Sequence, residues 1–203
     1  MHASKNEIIA RRDDGFTLSL AQPEDYPKLI DLANNLSDQS KQHFHTWTFR
    51  KNPSLKVKIA QTLVRLSLNP HVKKLIKAFF PFAHVVIIKV QSPENKIVGM
   101  YGFFRFKRLS DGKFSARSGV FLIEEFQSKG LLSFIHKPAF EMAKKENIRI
   151  IYSLIRTDNV RSKKVYTRSG WKYIETIKNA GEYKGKSYDS EVWIYEILIL
   201  PKK

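Results

Sequence analysis

The stretch from Ser118 to Leu132, SGVFLIEEFQSKGLL, constrains the fold more than any other part of the chain. It reads as an apolar strand (Val120 to Ile123), an acidic break (Glu124, Glu125) and a Gln-Ser-Lys-Gly turn that opens a helix. The first turn of a helix carries unpaired backbone N–H groups and the positive end of the helix dipole, so a loop with Lys129 and Gly130 there can hold a diphosphate. The competing reading is a strand-to-helix turn whose glycine and lysine serve structure alone. Context from the rest of the chain has to decide between them.

Downstream, a helix is expected from about Leu131 to Glu146, presenting Phe134, Ile135, Phe140, Met142 and Ala143, with Pro138 kinking or shortening it. Ile148 to Leu154 follows as a strand, and strand, helix, strand in this order predicts a crossover that makes this part of the sheet parallel. The chain turns at Asp158-Asn159, forms a short helix from Val160 to Ser169 and stops it at Gly170. Trp171 to Ile177 reads as a strand, Asn179 to Ser187 as a polar loop and Val192 to Leu200 as the closing strand.

Upstream, residues 16 to 20 (FTLSL) alternate as a half-buried strand, and Tyr26, Leu29, Ile30, Leu32, Ala33 and Leu36 recur at helical spacing. HVVIIKV (84 to 90) and IVGMYGFFRFK (97 to 107) form a predicted antiparallel hairpin, and Phe114 to Ile123 adds a third antiparallel strand.

Between Gln39 and Pro93 there is no Asp or Glu, while Lys41, Arg50, Lys51, Lys56, Lys58, Arg65, Lys73, Lys74, Lys77 and Lys89 all fall inside. Leu55, Ile59, Leu63 and Leu66, then Val72, Leu75, Ile76 and Phe79, repeat at three and four, which predicts two basic amphipathic helices separated by Asn69-Pro70. The preferred reading packs their apolar faces on the sheet and leaves the lysines in water. The other lays the helices, with Phe79-Phe80-Pro81-Phe82, on anionic lipid or an acidic partner. The segment carries much of the net charge of +17, which attracts polyanions but does not determine a fold. His43 and His45 have no third ligand nearby, so no metal is expected.

The 203 residues suffice for one well-buried domain, and the reading is a single domain over 1–203 with a basic helical insertion at about 39–83. Absent cysteine excludes disulfides, a thiolate metal site and a cysteine nucleophile, and suits a reducing cytoplasm. No apolar run has the length of a signal peptide or membrane span, so a soluble cytoplasmic protein is expected.

Gln127-Ser128-Lys129-Gly130-Leu131-Leu132 resembles the Gln/Arg-x-x-Gly-x-Gly/Ala turn of the GNAT (Gcn5-related) N-acetyltransferase superfamily. Asn159, Tyr166 and Gly170-Trp171 resemble its later Asn, Tyr and Gly-aromatic signature. The resemblance implies an α/β (α+β) fold with a mixed, mostly antiparallel central sheet flanked by helices, two of its strands splaying to form an acyl-CoA wedge. It implies that the backbone of Val120, Phe121 and Leu122 pairs with the pantetheine arm of acetyl-CoA or another acyl-CoA. The turn beginning at Gln127 and the amides from Ser128 through Lys129, Gly130, Leu131 and Leu132 to Ser133 would cradle the pyrophosphate, and Asn159 would bond the pantetheine. Tyr166 would protonate the leaving thiolate, since a phenol of pKa about 10 keeps its proton at neutral pH.

Leu132 departs from the small residue of the family turn, and Leu154 stands where some members carry a glutamate base. Glu124, Glu125, Asp158 or a relayed water remain open as the proton acceptor. The expected activity is direct transfer of acetyl to a primary amine of a small molecule or peptide. The basic insertion favours anionic acceptors, or an acyl carrier protein as an acidic partner, over polycations. Nucleic acid and membrane surface rank lower as partners, and a homodimer stays open. The alternative is a non-catalytic module of the same fold that uses its basic surface to bind.

Overall fold

The computed structural model describes residues 8–43, 55–79 and 85–198. His45, Arg50, Lys51 and the Phe80-Pro81-Phe82 part of the aromatic cluster lie outside the described residues.

Among the described residues eight strands form one sheet: β1 (Ile8–Arg11), β2 (Thr17–Leu20), β3 (Val86–Gln91), β4 (Ile97–Arg108), β5 (Phe114–Leu122), β6 (Ile148–Arg156), β7 (Lys172–Tyr183) and β8 (Lys186–Glu196), in the order β1-β2-β3-β4-β5-β6-β8-β7. Every neighbouring pair is antiparallel except β5 and β6. The helices are α1 (Tyr26–Asn35), α2 (Asp38–His43), α3 (Leu55–Ser67), α4 (Pro70–Phe79), α5 (Leu131–Lys145) and α6 (Val160–Arg168).

The period of two along a strand divides the core. On β3, Val86, Ile88 and Val90 join the cluster that α5 covers with Leu131, Ile135, Ala139, Met142 and Ala143. Val85, just before β3, and Ile87 point the other way, into a second cluster covered by Tyr26, Leu29 and Ala33 of α1 with Val64 and Leu68. Lys89 shares that second face and is buried, its ammonium 2.8 Å from Asp25. Although part of the basic run in sequence, it is an internal ion pair; unpaired, a charge at that depth would cost several kcal/mol.

Three local readings change. The polar stretch 179–187 is not a loop: β7 and β8 form one long hairpin whose tip, Lys184-Gly185, takes positive φ at both residues. Without an apolar alternation, that pairing carries no strand signal in the sequence, and a two-residue turn supplies it. The short edge strand β1 is additional. α5 runs through Pro138 without being shortened, giving up the one backbone donor that proline lacks.

The basic helices pack on the sheet only in part. Val64, Leu68 and Ile76 are buried, and Lys73 pairs with Glu146 just past α5, while Ile59, Leu66, Leu75 and Phe79 stay exposed.

Candidate functional site

β5 and β6 pair from Phe114–Ile148 to Arg117–Tyr152 and then separate. Beyond that point β5 remains bonded to β4 as far as Leu122, and β6 to β8 as far as Arg156. The β6-facing edge of Ser118–Leu122 therefore has no strand beside it, and an unpaired edge is a template for an added extended chain. The split opens into a cavity of about 680 Å³.

Val120, Phe121, Leu122, Gln127, Ser128, Gly130, Leu131, Leu132, Ser133, Asn159 and Tyr166 all line this cavity. Lys129 does not: its carbonyl accepts from Arg12 Nη1 at 2.8 Å, and its ammonium lies over the Phe126 ring, 4.8 Å from the centroid. Its contribution to the turn is thus through the backbone.

The turn has the backbone of an anion cradle. Ser128 (φ 64°) and Gly130 (φ 72°) are both left-handed, and successive N–H groups in such conformations converge on one point. Gly130 is also the N-cap of α5 and offers no side-chain acceptor, so the first N–H groups of the helix are not capped by the chain itself. Gln127 braces the turn, with Nε2 donating to Leu122 O (3.0 Å) and Ser40 Oγ (3.1 Å) and Oε1 accepting from Arg161 (3.2 Å). Arg161, Arg168 and Arg117 add positive charge to the cavity lining. Leu132 is half-buried against the core and lines the cavity as well.

At the point of divergence the lining becomes hydroxylic. Tyr166, buried on α6, has its OH 3.1 Å from Ser153 Oγ, and Ser118 faces it from β5. Burial pushes the Tyr166 phenol up from its ordinary value, with Ser153 and Ser118 opposing in part. Trp171 packs on the Tyr166 ring at 4.6 Å and donates its backbone N–H to the Tyr166 carbonyl, so the Gly-aromatic pair fixes where the phenol points. Asn159 caps α6, Oδ1 accepting from Ser162 N at 3.1 Å, which leaves its amide NH₂ for donation.

Of the acids considered from sequence, Glu124 lies under α2. Burial opposes its ionisation, but hydrogen bonds from Ser37 and Ser40 outweigh this and hold it at about 2. Asp158 is held low by Arg156, which reaches both of its oxygens at 2.7 and 3.1 Å. Glu125 is exposed outside the cavity lining. Both cavity carboxylates are therefore committed anions and weak proton acceptors.

His43 is a different case. It lines the cavity from the end of α2, with Nδ1 3.8 Å from Asp158 Oδ1. Burial lowers its pKa, Asp158 opposes this and Arg156 adds to it, so the ring is neutral at physiological pH. In the sequence its pairing with His45 suggests only a metal ligand. Its place over the wedge depends on α2 being pinned to Glu124, Gln127 and Arg156, contacts that span more than eighty residues of sequence. Arg12, from the turn before β2, and Ser153 were likewise missed, having no local motif. Among the described residues no group of three or more His, Asp or Glu side chains is gathered as metal ligands.

Outside the cavity lining, α2 meets the β7–β8 tip, with Lys184 Nζ 2.6 Å from Asp38 and Tyr183 OH donating to Asp38 at 3.3 Å.

An acetyltransferase (GNAT) domain family model matches residues 59–193. No curated protein matches the chain. Among solved structures, the ribosomal L7/L12 α-N-protein acetyltransferase RimL in complex with coenzyme A superposes with a TM-score of 0.69 at 20% identity, covering 94% of this chain and 98% of that one. The spermidine N-acetyltransferase of Vibrio cholerae with CoA and spermine gives 0.65 at 15% identity over 91% and 97%. The microcin C7 self-immunity acetyltransferase MccE with acetyl-CoA and AMP gives 0.66 at 18% identity over 91% and 94%.

Proposed function

The chain belongs to the acetyltransferase (GNAT) domain family, and from that premise we propose that it is an acyl-CoA-dependent N-acyltransferase, transferring acetyl from acetyl-CoA to a primary amine. The observation that carries the proposal is the split between β5 and β6 ending at an uncapped helix N-terminus, because an extended arm and a diphosphate are the two parts such a cleft accommodates together. The edge from Val120 to Leu122 takes the pantetheine, Asn159 donates to it, and the amides from Ser128 to Ser133 hold the pyrophosphate. Arg161 and Arg168 supply further charge toward the phosphates.

The thioester supplies an activated acyl carbon. Holding donor and amine in one cleft makes their encounter effectively intramolecular, and backbone N–H groups of the free β5 edge stabilise charge that builds on the carbonyl oxygen. An ammonium has no lone pair, so the acceptor must first give up a proton. His43 takes it, directly or through a water. As the new C–N bond forms and the C–S bond breaks, Tyr166 donates its phenolic proton to the sulfur, and the nitrogen sheds its second proton, through water, to the resulting phenolate, which leaves a neutral amide, a free thiol and a phenol. The acceptor enters beside α2, past His43, and is a small molecule or peptide amine for which the basic chain favours a nearby negative charge.

Calorimetric titration with acetyl-CoA tests the premise. Saturable one-to-one binding is expected that exceeds ATP and a short RNA and survives added salt. Gly130→Glu sets a carboxylate against the cradle and puts a side chain where φ is 72°, and should weaken binding at least about a hundredfold. Binding equal to the controls and lost with salt would move the assignment to the non-catalytic module, which Leu132 and the absent acid at Leu154 favour.

The proton-acceptor role predicts a pH profile. Only neutral His43 accepts, so kcat/KM should rise with pH to a plateau, its acid limb lying below the ordinary imidazole value of about 6.5 because burial lowers this pKa. His43→Gln should remove that limb. An unchanged limb in the variant assigns the proton to another group.

A further inference from the structure

We propose that the α3–α4 helical pair is a docking surface for an anionic lipid bilayer. Among the described residues the pair meets the body of the protein through buried Val64, Ser67, Leu68 and Ile76 and the Lys73–Glu146 ion pair. On α3, Ile59 and Leu66 are seven residues apart, hence on one face, and that face lies roughly opposite Val64. On α4, Leu75 and Phe79 form the corresponding pair one turn apart. These four side chains are 54%, 44%, 58% and 72% exposed, respectively. Lys58, Arg65 and Lys74 stand beside them, exposed and with no carboxylate partner among the described residues.

Single apolar side chains on a wet helix face are ordinary, whereas four large ones on two adjoining helices are the kind of concentration that marks a contact surface. An apolar stripe rimmed by cations is what a helix lying in a bilayer interface requires, its aliphatic groups among acyl chains and its ammonium and guanidinium groups at lipid phosphates. The charge pattern selects the partner: with no acid between Gln39 and Pro93, the segment presents one sign. A second copy of the same face would bring like charges together. A nucleic acid would satisfy the cations and find one ring, Phe79, but gain little from Ile59, Leu66 and Leu75, which offer none for a base to stack on. No helix among the described residues is long and apolar enough to cross a membrane, so the contact is with the surface. Val64, on the docked side of α3, lines the cavity, and a bound bilayer would thus stand one helix away from it.

Co-sedimentation of the full chain with vesicles tests this. Vesicles of phosphatidylcholine with phosphatidylglycerol should retain the protein, and phosphatidylcholine alone should retain it at least about tenfold less, the difference shrinking as salt rises. The exposed double variant Leu75→Ser/Phe79→Ser should lower partitioning about tenfold or more, with acetyl-CoA titration and thermal unfolding unchanged. Lys58→Glu/Arg65→Glu/Lys74→Glu should abolish retention. Equal binding to both vesicle types, undiminished binding by the apolar variant, displacement of the protein from vesicles by a short RNA, or a dimer in light scattering that vesicles leave intact would each overturn the proposal.

Discussion

Replacing Tyr166 by phenylalanine is expected to lower kcat for acetyl transfer about a hundredfold, within the usual range for losing a general acid, while the acetyl-CoA dissociation constant stays within about threefold. The asymmetry follows from geometry. In the proposed binding mode the β5 edge and the uncapped turn at Gly130 would hold the cofactor, whereas the Tyr166 hydroxyl sits among Ser118 and Ser153 where the strands part. Burial raises the phenol's pKa, so it is protonated at neutral pH and, in the proposed mechanism, would be the donor to the departing thiolate. The substitution also leaves Ser153 Oγ without its 3.1 Å partner in a buried position, a loss of about 1 kcal/mol that a thermal melt measures separately. Full turnover in a folded Tyr166→Phe protein would show that the thiolate is protonated elsewhere and that this tyrosine serves packing alone.

The second large effect concerns stability. His136 on α5 is buried among Tyr101, Phe140, Tyr166 and Trp171, and neither ring nitrogen has a hydrogen-bond partner among the described residues. Burial alone lowers its pKa to about 4. An unfolded chain takes up that proton near pH 6.5, so the two states bind it equally above that value. Between about pH 6.5 and 4 only the unfolded state binds it, and stability falls as pH falls, by roughly 3 kcal/mol once the native value is reached. Carboxylates held low, Glu124 and Asp158 among them, act with the same sign mainly below this window. Chemical unfolding followed from pH 7 to 4 should show the decline, and His136→Leu should remove most of it while changing stability at pH 7 by about 1 kcal/mol or less. A decline that persists undiminished in His136→Leu would place the sensitivity in another group, and His43→Gln is the control for the only other described histidine lowered by burial.

His136 also illustrates what the sequence conceals. On a helical wheel it is one polar residue among Phe134, Ile135 and Phe140, and nothing local says whether it faces water or Trp171. The helix itself was legible, because apolar residues repeat at its period and Gly130 marks its start. The strands from β2 to β6 were legible for the related reason that each buries one or both faces and must alternate or run apolar. Pairing of the stretch 179–187 was not, because both faces of β7 are largely exposed and hydrogen bonds to β8, rather than side-chain burial, hold it.

The sequence by itself determined the strand-turn-helix around Gly130, the Asn159 to Trp171 segment and the concentration of positive charge before β3. Each is written in neighbouring residues, where period, turn chemistry and composition act locally. Only the tertiary structure decided that β5 and β6 part after Arg117, that Ser153 meets Tyr166, that Lys89 turns inward to Asp25 while Leu75 and Phe79 turn out, and that α2 brings His43 over the wedge. Those outcomes depend on groups far apart along the chain competing for the same buried volume and the same hydrogen-bond partners, a competition that is resolved only when the sheet has closed around its two cores.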